Sequence, residues 1–234
     1  HTAIFSFIIV FGLVKAITNF FAGHLANSVG RRRLLIYGWL FAIPIPFLLM
    51  WATSWNWIIV ANILLGINQG LAWSSTVTMK IDLVGDKQRG LAMGINEFAG
   101  YLSVGLVALL TAWIANAYGI RPYPFYIGIV FVILGLALSI IWVKDTQLFV
   151  QKAAASSTVP LLKNRFWDTS ILHRNLGAIT QAGLVNNLND GMIWGLFPIL
   201  LAAKGFSLAD IGLITAIYPM VWGVAQLGTG RLSD

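Results

Sequence analysis

Seven stretches of this 234-residue chain are apolar for long enough to cross a bilayer's hydrocarbon core, which takes about 20 helical residues. They run from Ala3 to Ala26, Leu34 to Thr53, Trp57 to Met79, Gly90 to Tyr118, Pro124 to Val143, Asn175 to Ala203 and Leu208 to Gly230. None alternates apolar and polar residues, so strands of a membrane barrel are a poor reading. A segment surrounded by lipid must satisfy its own backbone, and an isolated run does this only as a helix. With 58% hydrophobic residues, 10% charged residues and a mean hydropathy of +0.81, the chain also lies outside the range of soluble globular domains. The expected fold is all-α, a polytopic bundle of membrane helices.

The net charge of +7 would suggest nucleic acid if it formed a solvated patch, but the basic residues sit in short segments between apolar runs. They read as topology signals, and no nucleic-acid partner is expected. Placing the polar stretch after Ala26 in the cytoplasm gathers Arg31, Arg32, Arg33, Lys80, Lys87, Arg89, Lys144, Lys152, Lys163, Arg165, Arg174 and Arg231 on that side. Arg121 and Lys204 alone fall opposite, which puts His1 outside and Asp234 inside. Trp39, Trp51, Trp55, Trp57 and Trp113 lie toward span ends, as interfacial belts do, with packing in the bundle the alternative for some of them. The chain has no cysteine, so disulfides and thiolate metal sites are not at issue, and nothing in the first run resembles a signal peptide.

The stretch Gly23 to Leu34 reads as a tight basic loop between the first two spans, its glycines permitting the reversal and its three arginines pinned at the headgroups. A longer polar segment, Lys144 to Arg174, contains the low-complexity run Ala153 to Thr158 and reads as a cytoplasmic linker. Its second part, from Leu161, has the mixture expected of an amphipathic helix on the inner leaflet. The division is therefore residues 1–144, a linker over 145–173 and a second part over 174–234. The end of the chain repeats its beginning: setting Gly230 on Gly23 puts Leu232 on Leu25, Ser233 on Ala26 and Asp234 on Asn27, at a constant offset of 207 residues. Parallel repeats separated by a linker are a property of one large class of carriers.

These residues resemble the major facilitator superfamily. Its signature after the second helix, Gly-x-Leu-Ala-Asp-Arg-x-Gly-Arg-Arg, is matched at Gly23, Leu25, Ala26, Gly30, Arg31 and Arg32, with a degenerate twin at Gly230, Leu232, Ser233 and Asp234. The run Asp82 to Gly90, ending on Arg89, is similar to the acidic-then-Arg-Gly loop between helices four and five. The resemblance implies helices two to eight of a twelve-helix carrier, seven of the twelve, lacking helix one and helices nine to twelve. It also implies that the two loop copies gate the inner mouth. Asn27 stands where the family has an Asp that locks the outward-open state, so Asp234 in the second copy is expected to do more of that work. The family's helix-four pattern Arg-x-x-x-Gly-x-Gly has Asn62 at the Arg and Asn68 at the second Gly, and the Gly-Pro antiporter signature of helix five is missing between Gly100 and Ala108.

Charges at membrane depth are costly and are candidates for function. Lys15 lies ten residues before Leu25, about 15 Å deep at helical rise, and Glu97 lies eight residues past Arg89, about 12 Å deep. A Lys15–Glu97 pair, made or broken as a cavity opens, is the sharpest expectation. The sixth run carries Gln181, Asn186, Asn187, Asn189, Asp190 and Gly191, then Pro198, which suggests a helix broken where it lines a cavity. There Asp190 either handles a proton or solute, or caps the loosened turn. Asn62, Gln69 and Trp73 share a helix face in the third run, where Trp73 either stacks on a ring-bearing solute or packs.

No Gly-x-x-x-x-Gly-Lys-Ser/Thr motif is present, so ATP-driven transport has no support. His1, His24 and His173 lack metal-ligand spacing, and no hydrolase arrangement is visible, so neither cofactor nor enzyme activity is expected. The expected function is a secondary carrier that moves a small polar or weakly anionic organic solute by alternating access, with a coupled proton as a candidate partner. A seven-helix receptor or light sensor fits the span count, but it needs neither the repeat nor the basic loop, and the last span lacks the lysine a retinal sensor would use. A non-transporting membrane scaffold is the third reading. A bacterial inner membrane is the expected location.

Overall fold

A computed structural model describes residues 2–84, 88–156 and 165–234. Among them the structure is helical throughout, with no strand. The helices in chain order are α1 (Thr2–Val29), α2 (Arg31–Ala42), α3 (Pro44–Met50), α4 (Trp55–Val84), α5 (Arg89–Tyr118), α6 (Tyr123–Ile141), α7 (Gln147–Ser156), α8 (Arg165–Trp167), α9 (Arg174–Gly195), α10 (Phe197–Ala203) and α11 (Leu208–Ser233). Six spans are long and apolar enough to cross a membrane: Phe5–Val29, Arg31–Met50, Trp55–Val84, Arg89–Tyr118, Tyr123–Ile141 and Leu208–Ser233. Most of their large apolar side chains face outward, as lipid-facing helices require.

Four expectations need correction. The seventh span, Asn175 to Ala203, does not reach the apolarity of the others, because its helix carries the amide run and Asp190. That run does not break the helix either. Asn187 donates back to the Gly183 carbonyl of its own helix at 2.9 Å, and α9 stays regular until Leu196. The break falls there because Pro198 lacks the N–H that would continue the ladder.

The stretch Gly23 to Leu34 is also not a loop. Nothing between Gly23 and Val29 interrupts the hydrogen-bond ladder, so α1 runs through it, and Gly30 alone, at φ +93°, makes the turn into the arginines that open α2. Finally, the amphipathic helix expected from Leu161 to Arg174 starts outside the described residues, and its described part, from Arg165, is not one continuous α-helix. Gln147–Ser156 is helical, and past the undescribed residues 157–164 a short helix and a π-turn at Asp168–Leu172 lead to His173, which caps α9.

Small residues set how closely the helices approach. Gly66 and Gly70 of α4 receive Val14 and Thr18 of α1, and Gly38 of α2 lies against Ala72 of α4. Asn68, buried in that second contact, donates to the Gly38 carbonyl at 2.9 Å. Trp39 covers Gly135 of α6 and packs on the buried cluster of Ala42, Ile45 and Ala61, so it belongs to the bundle and not to an interfacial belt. Trp51, Trp57 and Trp113 remain exposed. The longest helix–helix contact joins α5 to α11, across the linker, along Gly90, Gly94, Gly105, Gly212, Gly223 and Gly230.

Candidate functional site

The first copy of the repeated motif is built around the Gly30 turn. A Cβ at Gly30 would strike the Asp145 carboxylate, so the residue must lack one for steric reasons as well as for its positive φ. Asp145 accepts from the Arg32 amide at 2.9 Å and from the Gln147 amide at 2.9 Å. Arg32 reaches the Ile140 carbonyl at the end of α6. Arg31 is 5% exposed and pairs with Asp82 of α4 at 3.3 Å, while its terminal nitrogen donates to the Ala26 carbonyl. Asp82 also accepts a hydrogen bond from the buried Thr146 hydroxyl at 2.6 Å. A buried guanidinium is tolerable only with its charge paired, and Asp82 supplies that pair, although the Arg31 Nε–H itself makes no hydrogen bond among the described residues. Gly85 to Lys87 of the acidic loop lie outside the described residues, and Arg89 opens α5.

Asn27 and Arg31 border a polar cavity of about 390 Å³ between α1, α2 and α4, with Asn19, Ser74 and Thr78. Asn27 contributes its carbonyl oxygen to the Gln147 side chain at 2.8 Å. Gly23 meets nothing in the space a Cβ would take, and Leu25 is exposed.

The second copy is placed differently. Gly230 lies against the Gly90 carbonyl and Gly94 of α5, so that any side chain there would collide with backbone. Asp234 accepts from the amides of Gly90 at 2.6 Å and Leu91 at 2.8 Å. Those are among the amides that a helix N-terminus leaves without intrahelical partners, and Gln88, at the cap position, offers them no side chain. Asp234 therefore caps α5 from another helix, where a carboxylate also meets the positive end of the dipole.

A charged cluster lies apart from these motif contacts, on α1, α5, α9 and α11. Asp190 of α9 is 7% exposed and accepts hydroxyl hydrogen bonds from Tyr218 of α11 at 2.5 Å and Tyr101 of α5 at 3.3 Å. Asn189 donates to the Tyr218 oxygen, and Trp194 and Trp222 stand beside Tyr101 at ring separations of 6.3 and 5.8 Å. Asp190 thus caps no turn; it ties three helices together. Lys15 of α1 feels the charges of both Glu97 and Asp190, yet it forms no contact ion pair with either among the described residues. Its ammonium lies over the Phe11 ring, 5.7 Å from the centroid. Glu97 instead accepts from Asn96 at 3.3 Å, whose carbonyl oxygen holds Lys80 at 2.9 Å. The expected pair is therefore a cluster, with the carboxylates engaged elsewhere and Lys15 left between them.

The other sequence candidates separate. Trp73 packs over Gly100 of α5, and Asn62 bonds back to the Ile58 carbonyl of its own helix. Gln69 is half-buried, while Asn186 and Asn187 are exposed on α9. Sequence reasoning missed Tyr101, Tyr218, Asn96 and Asp145, and it placed Lys80 in a loop although Lys80 lies within α4. A tyrosine at mid-span depth was the available signal for the first two, since a buried phenol needs a hydrogen-bond partner.

A single recurrent architecture accounts for this combination of repeated inner motifs and a charged centre shared by helices on both sides of a linker. The sequence profile of the Major Facilitator Superfamily matches residues 2–234. The chain belongs to this superfamily. The assignment sets aside the receptor and light-sensor readings and makes the protein an integral membrane protein of a transporter family. A protein of Cupriavidus pinatubonensis named as a probable 4-methylmuconolactone transporter is 24% identical over 219 residues. The alignment takes in 90% of this chain and 49% of the relative, so the chain spans about half the relative's length.

Proposed function

We propose that the chain works in a secondary carrier that moves a small polar or weakly anionic organic solute by alternating access. Asp190 carries this reading: a nearly buried carboxylate of α9 held by tyrosines of α5 and α11, with Lys15 of α1 in its field. Such a group is expensive in a membrane and has no purely local partner, which supports a place on the solute path. Residues 1–144 and 174–234 act as parts of the two moving halves, with 145–173 as the cytoplasmic linker between them. The Gly30 and Arg31 network holds the first part together, and Asp234 closes the inner mouth by capping α5. The sidedness follows from the Lys and Arg count, and a bacterial inner membrane fits it.

The relative's name makes a small lactone the first solute to test. Proteoliposomes containing the complete carrier should accumulate 4-methylmuconolactone or exchange it in counterflow, and Asp190→Asn and Lys15→Met should each lower uptake by at least about tenfold. A complete carrier that moves no solute would favour the scaffold reading. If a proton is coupled, Asp190 is its carrier, and an imposed pH gradient should then drive uptake.

A further inference from the structure

Glu97 is acted on by two lysines, Lys15 of α1 and Lys80 of α4, and it touches neither. What it touches is Asn96, which is 5% exposed and has no access to bulk water. An ammonium group has only donors, so Lys80, at 2.9 Å, claims the amide oxygen. That choice orients the amide N–H₂ toward Glu97, at 3.3 Å. Asp190 is occupied by its two phenols, and the Lys15 ammonium has no hydrogen-bond acceptor among the described residues. An ammonium at this depth without an acceptor is costly unless a ligand supplies one.

We propose that Lys80, acting through Asn96, positions Glu97 and supplies its counter-charge, which leaves the Lys15 ammonium for the acceptor group of the transported solute. The assignment rests on the carrier reading for its last step and, for the rest, on the hydrogen bonds that join Lys80 to Asn96 and Asn96 to Glu97. Lys80 is a positioning residue in this scheme, and Lys15 is the binding residue. Without Lys80, Glu97 turns to Lys15, and a solute must displace it.

Two measurements on the complete carrier test this. In proteoliposomes supplied with 4-methylmuconolactone, Lys80→Met should raise KM about tenfold while leaving the maximal rate near wild type. Lys80→Arg should keep KM low, and adding Glu97→Gln to Lys80→Met should restore most of the affinity, since the competing carboxylate is gone. A lysine that merely packs predicts no such rescue.

The second measurement needs no solute. Thermal unfolding of the purified protein should show non-additive shifts for Lys80→Met and Glu97→Gln, with the coupling lost in an Asn96→Ala background. Additive shifts, coupling that survives Asn96→Ala, or an unchanged KM would each overturn the relay. A thermal cycle that behaves as expected in a protein that transports nothing would uphold the relay and sink the carrier reading. Uptake accompanied by additive shifts would do the reverse.

Discussion

The two copies of the repeated motif share a sequence pattern and differ in what they hold. The first, around Gly30, binds α1, α2, α4 and the start of the linker into one body through Arg31, Asp82, Asp145 and Thr146. The second, at Gly230 to Asp234, reaches across the linker and seizes the first turn of α5. One is a brace within a part, and the other is a joint between parts. The glycines record this: Gly23 faces open space, while its counterpart Gly230 is pressed on backbone. A joint that opens and closes, as the proposed carrier cycle requires, is suited to a few directional hydrogen bonds on a flat small-residue surface. A brace is better served by buried charge pairs that are costly to break.

The sharpest way to break the comparison is to add the same atoms at both glycines. Gly230→Ala should abolish transport by the complete carrier, because no relaxation of a flexible side chain can clear a Cβ set against the Gly90 carbonyl. Gly23→Ala should leave uptake unchanged and raise the melting temperature slightly, since an open helical position gains up to about 1 kcal/mol from alanine over glycine. If the two variants behave alike in uptake and thermal unfolding, the asymmetry between the copies is wrong.

Next in size is the brace. Arg31→Ala strands Asp82 in a buried position, and losing one partner of a buried pair costs about 3–5 kcal/mol. A large drop in melting temperature is expected, with poor recovery of folded protein. Asp82→Asn should be milder, because the amide keeps an acceptor for the Thr146 hydroxyl.

Much of this was legible in the sequence, and the reasons for the rest are physical. Apolar run lengths placed six spans within a few residues, since lipid imposes a length that sequence must meet. The offset of the repeat located Asp234, but not its target, because the pattern carries no information about which helix terminus lies within reach. Polarity misled at α9: the amides that suggested an unwound segment bond within the helix or face outward, and the proline four residues past Trp194 sets the break. Depth arguments found Lys15, Glu97 and Asp190 but paired them by charge alone. Pairing depends on rotation about each helix axis, and that is decided by packing, here by where Gly66 and Gly70 of α4 admit α1 and where Gly94 of α5 and Gly223 of α11 let those two helices approach.

At the joint itself the expected effect is smaller than at the brace. Asp234→Ala removes a helix cap worth about 0.5–2 kcal/mol and leaves two amides to water. That is enough to shift an open–closed equilibrium about fivefold toward the form with the inner mouth open. The chain has no native cysteine, so a single reporter cysteine beside Gly90 in a carrier without other cysteines reads the change directly as faster labelling from the cytoplasmic side. Asp234→Asn should fall between, retaining one acceptor but not the charge that meets the helix dipole.

The smallest effect is expected at Asn27, the position where the first copy departs from its family pattern. Only its carbonyl oxygen is used, by Gln147, and its side chain borders the cavity that Arg31 shares. Asn27→Asp restores the family charge but offers it a guanidinium already committed to Asp82, so a change within about 0.5 kcal/mol is expected, with labelling rates unaltered. If Asn27→Asp slows labelling at the inner mouth as strongly as Asp234→Ala speeds it, the first copy is a latch after all. The division between brace and joint would then describe one conformation and not the working cycle.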